Sequence, residues 1–214
     1  MREPEGKVTS IRHPARDNTV RYAGRYRSQI LDAIQGIDLG KVGEAIEVFK
    51  SARAHGRRIF VCGDGSADSW ASHLLCDLVN GASFNRTSRF RILALSDQMT
   101  AIDRNPDEAA QARIFVEQLR NFAEPEDVVM GVCPSGNSAN VVNAIEYASW
   151  IGCRTIGVTG CDGGKIAELA ELNIQVPGTH IGSIEDAHVI ICHMIAYYFV
   201  DTEKDASRAE NRRL

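Results

Sequence analysis

Ile59-Phe60-Val61-Cys62-Gly63-Asp64-Gly65-Ser66-Ala67-Asp68 decides the fold, because a short β-rich run stops abruptly in small residues and then enters a helical pattern. The same order recurs downstream. Runs at Phe90–Leu95, Val128–Val132, Thr155–Val158 and Asn173–Val176 read as four further strands, and 68–79, 106–122, 138–150, 164–171 and 183–201 read as helices. Strand and helix in alternation is the pattern of parallel βαβ units with helices on both faces of the sheet. The expected class is α/β, a three-layer α/β/α sandwich around a five-stranded parallel sheet.

Two helices precede the first strand. Asp17 and Asn18 offer N-caps for a helix in which Tyr22, Tyr26, Ile30 and Ile34 recur every four residues. Val42, Ala45, Ile46, Phe49 and Ala52 keep helical spacing in the next, and Gly56 suits the position just past its end. With no Ser/Gly/Pro-rich linker and no internal repeat, residues 18–203 read as one domain, a helical hairpin over 18–56 and an α/β core over 57–203. Residues 1–17 form a polar leader and 204–214 a polar tail. The hairpin is placed to pack on a neighbouring subunit.

A chain of 214 residues, 44% hydrophobic and 24% charged, can bury a real core and is neither fibrous nor disordered by composition. Its 24 Lys and Arg against 28 Asp and Glu give a net charge of -4, which argues against a broad nucleic-acid footprint. The longest apolar run, His188–Phe199 interrupted by His193, is too short to cross a bilayer, and the leader lacks an apolar core for a secretory signal. A cytoplasmic protein, with no nucleic-acid or membrane partner, is expected. Six cysteines without a C-x-x-C pair read as reduced core thiols.

Ligands of open parallel sheets collect beyond the carboxyl ends of the strands. Small-residue turns fall there: Gly63–Asp68 after the first strand, Cys133–Ser138 after the third, and Thr159–Lys165 after the fourth. Each leads into a helix N-terminus, whose unpaired N–H groups favour a phosphate that glycine lets approach. Gly and Ser also make ordinary βα turns, so one such loop alone is weak. Ser135-Gly136-Asn137-Ser138 is the strongest candidate, with Ser138 also a plausible N-cap, and neither G-x-G-x-x-G nor G-x-x-x-x-G-K-[ST] is present.

A second cluster has metal-ligand chemistry. His73 and Asp77, four apart, project from one helix face, and Glu185 and His193 lie eight apart on the last helix, bordering one cavity. Imidazoles with carboxylates suit zinc or another first-row divalent ion. A lone histidine in an apolar helix is more often a satisfied core residue, and His188 is given a structural or supporting role. His13, His55 and His180 look ordinary, and Trp70 and Trp150 read as packing residues.

These residues carry a resemblance. Val61–Ala67 with Ser72–Leu78 resembles the first loop and helix of sugar isomerase (SIS) domains, and Pro134–Val141 resembles their phosphate loop. Gly157–Leu169 and Ile184–His193 narrow the likeness to the phosphoheptose isomerases, over about residues 20 to 200. The resemblance implies an SIS-type sandwich, a homotetramer with active sites shared between subunits, and a bound zinc ion held by His73, Asp77, Glu185 and His193. It further implies that Ser135 and Ser138, with Gly136, Asn137, Gly65, Ser66, Asp97 and Glu185, bind a phosphorylated sugar. The implied reaction converts sedoheptulose 7-phosphate to D-glycero-D-manno-heptose 7-phosphate through an enediol(ate), with Asp77 as base and His193 as acid.

The chain departs from the family pattern at several points. Asp77 stands for Glu, Glu185 for Gln, and Cys133-Pro134 for Ser-Thr; the first loop reads Gly-Asp-Gly-Ser, and the stretch from Asp97 to Arg104 is short. These changes leave open an isomerase of another phosphosugar. A non-catalytic SIS regulator or scaffold is the alternative from a different class, and His193 counts against it.

Overall fold

The computed structural model describes residues 14–63, 65, 67–95 and 108–211. β1 (Arg58–Gly63) sends alternate side chains into two cores, Ile59 and Val61 into one and Phe60 and Cys62 into the other, as a strand covered on both faces must. β3 (Val128–Cys133) does the same, with Val128, Met130 and Val132 opposed to Val129 and Cys133. With β2 (Arg91–Ala94), β4 (Arg154–Thr159) and β5 (Leu172–Gln175) they form one sheet in the order β2-β1-β3-β4-β5, and all neighbours are parallel. The expected five-stranded sandwich is the fold observed.

The helices divide between the faces. The core against α1 (Pro14–Gln35), α2 (Leu39–Ala54), α3 (Ala67–Cys76) and α8 (Ile181–Asn211) is built from residues such as Phe49, Leu74, Met130 and Ile191. α5 (Ile114–Phe122), α6 (Ala139–Trp150) and α7 (Gly164–Leu169) cover the other face through Phe115, Leu119, Ile145 and Ile166. A short α4 (Glu108–Gln111) precedes α5. Among the described residues no helix is long and apolar enough to cross a membrane.

Several expected boundaries change. α1 starts at Pro14, which tolerates the first helical turn because its missing N–H has no partner there, so Asp17 and Asn18 lie inside the helix, past its N-cap position. The cap belongs to α2, where Asp38 accepts the amides of Gly40 and Lys41 at 2.9 and 3.3 Å. The helix expected over 68–79 is α-helical only to Cys76, and Asp77–Ala82 form a π-helical turn. The helix expected over 106–122 is interrupted between α4 and α5, its first two residues lying outside the described ones. α8 runs past the expected end at 201, so residues 204–211 continue it. Residues 1–13 of the leader lie outside the described residues.

The topology creates one crevice. The chain leaves β1 for β2 on one side and returns to β3 on the other, so helices depart to opposite faces between the carboxyl ends of β1 and β3. The β3–α6 and β4–α7 loops are locked together beside it. Gly160 N–H donates to Pro134 O at 3.0 Å, and Ile166 N–H to Gly136 O at 3.0 Å. Gly136 adopts φ +67°, and a Cβ there would collide with the carbonyl group of Gly163. Gly136→Ala is therefore expected to destabilise the fold by about 3 kcal/mol, read as a shift of the urea midpoint; an unchanged midpoint would show that the loops can separate freely.

Candidate active site and metal centre

α3 and α8 bring together residues far apart in sequence. The Nε2 atoms of His73 and His193 are 2.9 Å apart, and Asp77 Oδ2 is 3.5 Å from the first and 3.9 Å from the second. Three potential ligand atoms thus converge within 4.8 Å. Asp77 is mostly buried, and its Oδ2 has no hydrogen-bond partner among the described residues. Leaving a buried carboxylate oxygen unsatisfied is costly unless a cation or donor joins it. A tetrahedral zinc site, with bonds of about 2.0–2.1 Å, spaces its ligand atoms about 3.3 Å apart, and the observed separations bracket that value. The donor set fits a divalent metal.

Glu185 stands apart from this cluster. It lies eight residues, about 12 Å of helix rise, before His193, and the convergent set comprises His73, Asp77 and His193 alone among the described residues. Its neighbour Asp186 accepts the Tyr26 hydroxyl at 2.8 Å, tying α1 to α8. That bond, with the adjacent carboxylates, holds the Tyr26 phenol above its ordinary pKa. Nothing in the local pattern marked this tie, since Tyr26 read as one member of an apolar stripe.

The π-helical turn was equally invisible to helical periodicity. It begins at Asp77 and contains Gly81, where an added Cβ would lie 2.7 Å from Val200 Cγ2 of α8. The wider turn and the bare glycine let the backbone come close to α8. π-turns often mark functional positions. The Asn80-Gly81 pair inside an apolar helical pattern is the signal that could have flagged it.

The phosphate-type loop is ordered by its own side chains. Asn137 is committed at both ends: its Nδ2 donates to Ser135 O at 2.9 Å and its Oδ1 accepts Lys165 N–H at 3.1 Å across the loop–loop contact. Ser135 is exposed, and its Oγ accepts Asn137 N–H at 3.2 Å. Ser138 occupies the N-cap position of α6 but makes no side-chain cap bond; its hydroxyl meets Cys133 Sγ at 3.3 Å. Cys133 Sγ also lies 3.4 Å from Ser135 Oγ. Burial raises the Cys133 thiol, but its hydrogen bonds with these hydroxyls and with the Ser138 and Asn137 backbone outweigh it and leave the pKa below its usual value. In the first loop Gly65 is exposed at φ +61°, while Ser66 and also Asp97 lie outside the described residues.

The remaining histidines and tryptophans separate clearly. His188 is fully buried, edge-on to Trp70 with centroids 6.0 Å apart. Neither ring nitrogen makes a well-formed hydrogen bond among the described residues. Burial pushes its pKa down to about 4, opposed only by a weak contact with the Thr159 backbone. Trp70 packs on the core as expected; Trp150, also expected to pack, is 79% exposed at the end of α6, where the helix faces away from the sheet. All six cysteines are thiols with no disulfide.

Fold and cluster together define an α/β protein with a two-histidine, one-carboxylate cluster where the helical segment after its first strand meets its last helix. A sequence model of the SIS domain matches residues 24–160. The phosphoheptose isomerase of Geotalea daltonii is 32% identical over 155 residues, spanning 72% of this chain and 80% of that relative. A probable phosphoheptose isomerase of Thermoplasma volcanium is 34% identical over 167 residues, spanning 76% and 83%. The solved phosphoheptose isomerase of Neisseria gonorrhoeae, 22% identical, shares the fold at a TM-score of 0.76 over 88% of this chain and 99% of that one. That of Francisella tularensis, 21% identical, does so at 0.74 over 89% and 100%. The chain belongs to the SIS domain family, in its phosphoheptose isomerase-like group.

His188 gives the pH dependence a defined sign. Its folded pKa lies below that of the unfolded chain, so the stability it allows is complete above pH 6.5 and is lost as pH falls toward 4. Between pH 7 and 4 the wild type is expected to lose about 3 kcal/mol more than His188→Leu in urea unfolding; parallel losses would show that the imidazole protonates freely in place.

Proposed function

We propose that the protein is a metal-dependent aldose–ketose isomerase of a phosphorylated sugar, most simply interconverting sedoheptulose 7-phosphate and D-glycero-D-manno-heptose 7-phosphate. The observation that carries this reading is the convergence of His73, His193 and the buried, unpartnered Oδ2 of Asp77. A divalent ion there, zinc being well suited to these donors, supplies positive charge beside the substrate oxygens.

The chain's own residues then divide the work. Asp77 removes the proton from the hydroxyl-bearing carbon beside the carbonyl, which gives a cis-enediol(ate); His193 delivers a proton to the former carbonyl carbon as the hydroxyl proton passes to the former carbonyl oxygen, and Asp77, 3.9 Å away, returns a proton to His193. Asp77 has two oxygens, so one can serve the ion while the other takes the proton. His73 orients the pair. Ser135 and Ser138 hold the phosphate with the N-terminal amides of α6, while Gly136 and Asn137 keep the loop in shape. Gly65, Ser66 and Asp97 are assigned to the sugar side, and Glu185 to a sugar hydroxyl or, across a subunit interface of the oligomer, to the fourth ligand position of a neighbour's centre.

A homotetramer with shared sites is part of the proposal. The His73 and His193 side chains are 54% and 40% exposed in the single chain, and α1 leaves Val20, Tyr22 and Leu31 facing solvent. Covering such an apolar face is a common reason for helices to associate.

Elemental analysis of the purified protein, paired with an NMR assay for aldose formation from sedoheptulose 7-phosphate, tests the reading. About one divalent ion per chain with turnover is expected, and His193→Ala should cost on the order of a hundredfold or more in kcat while leaving the oligomer folded. Wild-type rates in that variant would remove His193 from the mechanism. Ser135→Ala should raise KM for the phosphorylated substrate about fivefold to tenfold with kcat nearly unchanged; the same loss on an unphosphorylated sugar would refute the phosphate role.

A further inference from the structure

We infer that Cys133 is a positioning residue of the phosphate loop, its thiol proton held by Ser138 Oγ so that this hydroxyl's own proton turns outward to the anion. The inference rests on the assignment of that loop to the substrate phosphate. Cys133 closes β3 and is 1% exposed, so it lies beneath the loop and does not itself meet a ligand in the cleft. Its Sγ is within hydrogen-bonding reach of both hydroxyls, at 3.4 Å from Ser135 Oγ and 3.3 Å from Ser138 Oγ.

The proton accounting follows from these contacts. A serine hydroxyl has one proton to give and two positions at which to accept. Ser138 makes no cap bond to α6, and its oxygen receives the thiol proton of Cys133. Ser135 Oγ accepts the Asn137 amide. Each oxygen is thus engaged as an acceptor from inside the loop, which leaves each O–H to point away from it.

The Ser135 proton has one inward alternative, the Cys133 sulfur, and a thiol sulfur is a weak acceptor that a phosphate oxygen displaces. The arrangement matters more here because residue 134 contributes no donor. Pro134 has no N–H, and its carbonyl is occupied by Gly160. The two hydroxyls therefore carry most of the side-chain donation this loop can offer, and Cys133 decides where that of Ser138 aims.

The test uses the metal-loaded wild type, Cys133→Ala and Cys133→Ser, with inorganic phosphate and the sugar phosphate as ligands. Cys133→Ala loses the inner donor and is expected to weaken phosphate binding and raise KM about tenfold, with kcat and metal content unchanged; Cys133→Ser keeps a donor and should stay within about threefold of wild type. Equal binding in wild type and Cys133→Ala overturns the inference, and so does equal loss in Ala and Ser, which would make the residue a matter of packing. If Cys133→Ala does not fold, the Ser variant decides alone, a loss beyond about threefold counting against the inference. A wild type that binds its metal but neither phosphate nor sugar phosphate refutes the loop assignment itself.

Discussion

α8 lies against the π-helical turn at a distance only a glycine permits, and the candidate centre depends on that packing. With Gly81 bare against Val200, the apolar stripe of α8 formed by Ile184, Ala187, Ile191 and Ile195 sinks fully into the core. A helix so seated cannot rotate without exposing the stripe, because each residue turns it by about 100°. The register that buries Ile191 and Ile195 is therefore the register that sets His193 against His73 and Asp77. Apolar packing does the aiming.

Two histidines five residues apart on this helix show how complete the separation of roles is. They differ by roughly 140° around the axis. His188 falls on the buried side against Trp70, where its proton affinity drops, and His193 falls on the half-exposed side beside a carboxylate. One helix thus supplies a neutral core residue and a candidate ligand through geometry alone.

Much of this was legible beforehand, for physical reasons that can be named. Strands covered on both faces read as continuous β-branched runs, so Ile59–Cys62 and Val128–Val132 stood out, and the i, i+4 pairing of His73 with Asp77 follows from helical pitch. Glu185 read as a neighbour of His193 on angle alone, which ignored the distance along the axis. The π-turn at Asp77 packs against a helix about 120 residues away, a contact that no local window contains. Cys133 read as a core thiol, and it is buried, but its contacts with Ser135 and Ser138 come from the way the loop folds back over the strand end. The resemblance placed Asn137 in the phosphate loop; the bonds its Nδ2 and Oδ1 make to the Ser135 carbonyl and the Lys165 amide span a loop–loop contact that no local window contains.

The order of the elements also sets an order of events. His73 and Asp77 precede four of the five strands, while His193 follows all of them. A growing chain emerges from its amino end, and parallel sheets close slowly because their contacts are distant in sequence. Until α8 docks, the three donors are never in one place, and only His73 and Asp77 stand side by side. An ion held at this cluster would thereby be reserved for chains whose sheet and closing helix are already in place, a half-made chain offering little to hold one.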